Sequence, residues 1–140
     1  LGALPRPLAR AAAILLAWII YLAHPRLRWV GMRNLAIAFP EKSLGERRRI
    51  LRGEFTSLGR QLSEVCRFPK YTSENVNQVV LYDGFENYEQ AHALGKGVLF
   101  LTGHVGGWEL SAFAHSLHGH PLQIVMRPLD NVYLDRLICR

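Results

Sequence analysis

The sequence has 140 residues, with 17 Lys plus Arg against 11 Asp plus Glu, a formal charge of +6, 49% hydrophobic residues and 20% charged ones. This mix excludes a disordered acidic or low-complexity chain, a collagen-like repeat and a multi-span membrane protein. Two cysteines exclude a disulfide scaffold and a multi-cysteine zinc module, and the length allows one domain of ordinary size. A chain that opens at Leu1 and stops at Arg140 without a terminating signal is expected to be the N-terminal part of a longer one.

Charge is unevenly placed. Residues 1–70 carry 13 Lys/Arg against 4 Asp/Glu, a balance of +9, and residues 71–140 carry 4 against 7, a balance of −3. A basic first half predicts an anionic partner for that half: lipid headgroups, nucleic acid or an acidic protein. Residues 11–23 read AAAILLAWIIYLA, with no charge and no helix breaker. As a helix they span roughly 20 Å, short of the roughly 30 Å hydrocarbon core, and extension back to Leu8 with Arg10 snorkelling adds only about 4–5 Å. Arg6 and Arg10 precede the run and Arg26, Arg28 and Arg33 follow it, so the flanks give no inside/outside bias. A helix dipping into one leaflet, anchored by arginines and by Trp18, Tyr21 and Trp29, is the favoured reading. A signal peptide and a buried core helix are the alternatives, although Tyr21-Leu22-Ala23 lacks the small-x-small cleavage pattern. Residues 1–34 are therefore expected to form a membrane-associated helical segment, distinct from residues 35–140.

Ser43 and Glu46 make an S-x-x-E capping box at the start of a helix. Leu51, Phe55, Leu58, Leu62 and Val65 recur at steps of three and four, predicting one apolar face, with Arg49, Arg52, Arg60 and Arg67 opposite. That basic side reads either as a solvated face or as a contact for anionic lipid. Pro69 ends the helix. Beyond it the pattern changes to short alternating elements: a strand at 79–82, a turn at Asp83-Gly84, a helix over 86–94 closed by Gly95, a buried strand at 97–102, a helix over 107–117, and a third strand at 122–126. Strand–helix alternation predicts an α/β fold with a mainly parallel sheet, whose remaining strands would lie beyond Arg140.

In such a sheet ligands bind at the carboxyl ends of the strands. Residues 102–109 lie there, Thr-Gly-His-Val-Gly-Gly-Trp-Glu. Gly103 ends the strand, and Gly106 and Gly107 let backbone approach a ligand closely. His104 on the turn and Glu109 in the first helical turn can meet. A carboxylate that holds one imidazole nitrogen leaves the other as a general base. No serine or cysteine nucleophile accompanies them, which points to direct transfer onto a hydroxyl of the acceptor. Trp108 reads more simply as packing than as a ligand platform. His115, His118 and His120 could suggest a metal, but no cysteine or carboxylate completes the set. Cys66 and Cys139 are isolated, and Arg47-Arg48-Arg49 has no nucleic-acid-binding module around it.

The segment Gly-His-Val-Gly-Gly-Trp-Glu-Leu at 103–110 resembles the H-x4-D/E motif of the glycerolipid acyltransferase superfamily. It is most similar to the late lipid A acyltransferases, the lauroyl and myristoyl transferases of Gram-negative envelope synthesis. Arg33-Asn34-Leu35 with Ala38-Phe39-Pro40-Glu41, Glu64, Gly84-Phe85-Glu86-Asn87 and Met126-Arg127-Pro128-Leu129-Asp130-Asn131 also resemble that family's ordered segments. The resemblance implies acyl transfer from acyl carrier protein to a hydroxyl of a lipid A precursor at the cytoplasmic face of the bacterial inner membrane. No metal or organic cofactor is implied, and the carrier-protein thioester is the co-substrate. His104 would deprotonate the hydroxyl and Glu109 would orient His104. Arg127 would bind an acceptor phosphate or acid sugar, and Asp130 and Asn131 would fix its loop or touch the acceptor. Backbone N–H groups near Gly106 and Gly107 could stabilise the oxyanion at the thioester carbonyl, which follows from helix-start geometry and not from the family. Two alternatives stay open: an acyltransferase for another glycolipid or lysophospholipid, such as a phosphatidylinositol mannoside, and a non-catalytic membrane-anchored module with a structural His104.

Overall fold

A computed structural model describes residues 1–103, 105–125 and 130–138. In chain order its helices are α1 (Arg6–Ala23), α2 (Pro25–Ala38), α3 (Leu44–Val65), α4 (Phe85–Ala93), α5 (Trp108–Leu117) and α6 (Val132–Ile138), with 3-10 turns at Phe68–Lys70 and Val76–Gln78.

Local chemistry sets the helix ends. Pro5 and Pro7 open α1, where the missing N–H groups have no intrahelical partner to lose. At its other end Arg28 folds back to donate from Nη1 to the carbonyls of Tyr21 and Leu22, and its guanidinium lies 5.4 Å from the Tyr21 ring centroid. Arg28 thus closes the last turn of α1 in place of a glycine cap. The capping box at α3 forms as expected. Ser43 Oγ accepts from the Glu46 N–H at 3.3 Å, and Glu46 Oε2 accepts from the Ser43 N–H at 2.8 Å and the Ser43 hydroxyl at 2.7 Å. These bonds stabilise the ionised carboxylate and hold its pKa below the usual value. Arg47 donates to the carbonyls of Phe39 and Pro40 at 3.2 and 2.8 Å, tying the α2–α3 connection to α3.

The core is an antiparallel α1–α3 pair. Ala9, Ala13 and Ala17 are the buried residues of α1, and Leu51, Phe55, Gly59 and Ser63 those of α3, so both faces repeat every four residues. Small side chains let the backbones approach. A Cβ on Gly59 would lie 2.7 Å from Ile14 Cα and 2.9 Å from the Ala13 carbonyl oxygen. At one end Arg6 donates from Nε and Nη2 to Glu64 Oε1 at 3.1 and 3.0 Å. Glu64 Oε2 accepts from the Tyr71 hydroxyl, and burial followed by that bond raises the Tyr71 pKa. At the other end the Tyr21 and Phe55 rings meet edge to face, 5.1 Å apart. Helix α2 packs beside Leu51, where a Cβ on Gly31 would clash with the leucine methyl.

This pairing corrects the expected apolar face. Leu58, Leu62 and Val65 are exposed, and the buried ridge runs instead through Gly59 and Ser63. A partner backbone this close leaves room for small residues and turns the larger ones outward. Tyr21 is likewise turned to Phe55, away from the outward side of α1, which displays Leu8, Leu15, Ile19 and Leu22.

The helices expected after Pro69 form within a residue or so of their expected ends, and the sheet does not form among the described residues. Over 79–82 the chain leaves a 3-10 turn anchored by buried Val76, with the Val79 and Val80 N–H groups donating to the Val76 carbonyl. Segment 97–102 is expected to be buried on both faces, yet Leu99 and Leu101 are 96% and 99% exposed. A strand persists only when a neighbour takes its backbone hydrogen bonds, and no described segment does so for 97–102 or 122–125.

Candidate functional site

The turn into α5 is built by glycines. The Val105 N–H donates to the Gly103 carbonyl at 2.8 Å. Gly106 has φ +62°, in the left-handed region where a side chain would be strained. Gly107 then caps α5 and accepts from Ser111 N–H at 3.1 Å. Glu109 falls in the first turn of α5, as expected, exposed and without an ion-pair or hydrogen-bond partner among the described residues. His104 and Arg127 lie outside the described residues, as does the remainder of 126–129. Asn131 is described and acts as the N-cap of α6, with its Oδ1 accepting from Tyr133 N–H at 3.0 Å and its carbonyl accepting from Asp135 N–H at 2.9 Å. Asp130, just before it, is exposed.

Glu109 opens onto a cleft of about 130 Å³ between three helices. Gly107, Glu109 and Leu110 form one wall, Arg60, Gln61, Glu64 and Val65 of α3 another, and Arg10 of α1 the third. Glu64 is already engaged by Arg6 and Tyr71, and the Arg6–Glu64 pair is the only ion pair within 4 Å among the described residues. Sequence reasoning missed Arg10 and Arg60 as site residues. Arg10 reads as a snorkelling flank and Arg60 as part of a solvated face, and only the α1–α3 packing brings them together. The one available signal is that Arg10 sits directly against the uncharged run 11–23.

The three C-terminal histidines do something else. His115 is 5% exposed, and its Nδ1 lies 3.4 Å from the Tyr82 hydroxyl. His120 Nδ1 lies 3.2 Å from the Tyr88 hydroxyl, and the Phe85, Tyr88 and Phe100 rings surround His115. Among the described residues no three His, Cys, Asp or Glu converge in a way that could hold a metal ion. The cluster is the joint between α4 and α5 that carries the Gly106–Glu109 turn. Burial first, and then the charges of His120 and His118, push the His115 pKa below 6.5. The folded protein therefore favours neutral His115, and below about pH 6.5 the unfolded chain takes up the proton first. Stability of this joint should fall as the pH drops from about 6.5 toward the lowered folded-state value. Amide protection over 85–93 and 108–117, corrected for the intrinsic exchange rate at each pH, should be lower at pH 5.5 than at 7.5, and His115→Phe should flatten the difference. Equal protection at both pH values would show that His115 does not control the joint.

With this geometry in view, the family to which the sequence belongs is clear. The profile described as "Bacterial lipid A biosynthesis acyltransferase" matches residues 1–140, and the chain belongs to that family. Among curated proteins it is similar to the "Lipid A biosynthesis palmitoleoyltransferase" of Escherichia coli (strain K12), 26% identical over 106 residues that cover 76% of this chain and 34% of the relative. The "Lipid A biosynthesis acyltransferase" of Shigella flexneri matches with the same identity and coverage. The chain thus spans about a third of the length of these relatives. No solved structure matches it.

Proposed function

We propose that the chain is part of an acyltransferase that moves a fatty acyl group from acyl carrier protein to a hydroxyl of a lipid A precursor, using His104 and Glu109 without a covalent acyl-enzyme. The observation that carries this reading is the Gly106–Gly107 break, which places Glu109 in the first turn of α5 at the edge of a cleft. His104, five residues before Glu109, takes the proton from the acceptor hydroxyl as its oxygen attacks the thioester carbonyl. Glu109 holds the other imidazole nitrogen and stabilises the imidazolium. The oxyanion formed at the carbonyl is met by backbone N–H groups at Gly106 and Gly107, a kind of contact worth about 10²–10³-fold in rate. Collapse of the tetrahedral intermediate breaks the C–S bond, and the leaving thiolate takes the proton back from His104. Arg127, with Asp130 and Asn131 behind it, binds an acidic group of the acceptor.

Helix α1 is long and apolar enough to cross a membrane by length and composition. Its outward Leu8, Leu15, Ile19 and Leu22 and its flanking arginines favour attachment to the inner membrane at its cytoplasmic face, with anionic lipids as contacts. The test offers labelled acyl carrier protein to the full chain in membranes, with a tetra-acylated lipid A precursor and a phosphatidylinositol mannoside as competing acceptors. Label is expected in the lipid A precursor. Label confined to the mannoside, or absent from both while the protein is folded and membrane-bound, would overturn the assignment.

A further inference from the structure

We propose that Arg10 and Arg60 form a binding subsite for a substrate phosphate ester, in the cleft that Glu109 borders. The proposal rests on the acyl-transfer reading above for its substrates, and on the cleft alone for its chemistry. Arg10 comes from α1 and Arg60 from α3, fifty residues away, and the close α1–α3 packing at Gly59 brings them to one cavity. A cleft with a guanidinium on each of two walls is positive unless carboxylates neutralise both. Glu64 is used by Arg6 and Tyr71, and Glu109 lies beyond 4 Å of any described Lys, Arg or His nitrogen. With Glu64 paired to Arg6, the two permanently charged forks share about 130 Å³ of space with Glu109 alone, so among the described residues the cleft keeps a surplus of one positive charge. Arginine forks bind phosphate oxygens in bidentate fashion, which fits a phosphate better than a neutral sugar.

Arg10 also borders a larger, shallower groove of about 440 Å³ along α1, lined by Arg6, Pro7, Ala11 and Ile14. A phosphate in the cleft could thus belong to a molecule whose apolar part lies along α1. Two substrate phosphates share the required chemistry: that of the glycolipid acceptor, and the phosphodiester of the carrier protein's pantetheine arm.

Binding is measured first, because it needs no turnover. The full chain in detergent is titrated with glycerol 3-phosphate by calorimetry, as wild type and as Arg10→Gln, Arg60→Gln and the double variant. Both arginines are exposed, so the variants should keep wild-type circular dichroism. Each single change is expected to weaken binding about 10-fold or more, and Arg60→Lys to restore part of it. Equal binding by wild type and double variant, or none by wild type, overturns the subsite and leaves the acyl-transfer reading standing. Steady-state transfer then assigns the source. If the acceptor phosphate is bound, the variants raise KM for a phosphorylated precursor and not for its dephosphorylated counterpart. If the donor phosphate is bound, the same contrast appears between acyl-phosphopantetheine and acyl-pantetheine. A fall in kcat that is the same for all four substrates would mean that the arginines only position Glu109, and would contradict the proposal.

Discussion

His104→Ala in the full chain should lower acyl transfer about 10²–10⁴-fold with little change in KM, because a general base acts in the transition state and not in substrate binding. Glu109→Gln should give a loss of similar order. It keeps the shape of the side chain but removes the charge that stabilises the imidazolium. The double variant should lose little more than either single one, because residues acting as a unit are not additive. Glu109 is exposed at the first turn of α5 and has no partner among the described residues, so Glu109→Gln removes no described contact and should leave the fold intact. Steady-state kinetics on membranes with matched protein levels check this. Full turnover in a folded His104→Ala protein would make His104 structural and favour the anchored-module reading.

The second large effect concerns the helix pair that builds the cleft. Gly59→Leu should destabilise the protein by about 1–3 kcal/mol or more, because a Cβ there lies 2.7 Å from Ile14 Cα and what must move is backbone rather than a flexible side-chain end. Gly53→Ala, six residues earlier on the same helix, should act in the opposite sense. Nothing lies within 4 Å of its added methyl, and alanine gains up to about 1 kcal/mol of helix propensity over glycine. Denaturant unfolding followed by the fluorescence of Trp18 on α1 distinguishes them. Destabilisation by both, or by neither, would mean that the α1–α3 contact does not hold the fold. The Gly59 variant should also lose activity through the cleft, since Arg10 and Arg60 line one cleft only while α1 lies on α3.

What could be read from the sequence follows the range of the forces involved. The Ser43–Glu46 capping box, the glycine closing α4 and the Gly106 turn depend on neighbours within a few residues, and each appears where the sequence places it. The existence of α1 and α3 follows from periodicity, but their contact does not. Hydrophobicity selects Leu58 and Leu62 as the buried face, whereas close backbone approach selects Gly59 and Ser63, which carry little hydrophobic signal. The strands at 79–82, 97–102 and 122–126 depend on partners that a local pattern cannot supply, and no ladder forms there among the described residues. At the site, the spacing of the motif correctly places Glu109 in the opening turn of its helix. Arg10 and Arg60 escape notice because the packing that unites them is not a property of either segment.

Direct transfer at the His104–Glu109 turn, as proposed above, is tested by one radiolabel experiment. The full chain in membranes is given acyl carrier protein labelled in the acyl group, with and without a tetra-acylated lipid A precursor, and the products are separated after denaturation. Label is expected in the lipid whenever the acceptor is present, and none covalently bound to the acyltransferase chain in either reaction. Label held covalently by that chain without acceptor, or no labelled lipid with acceptor present, would contradict direct transfer.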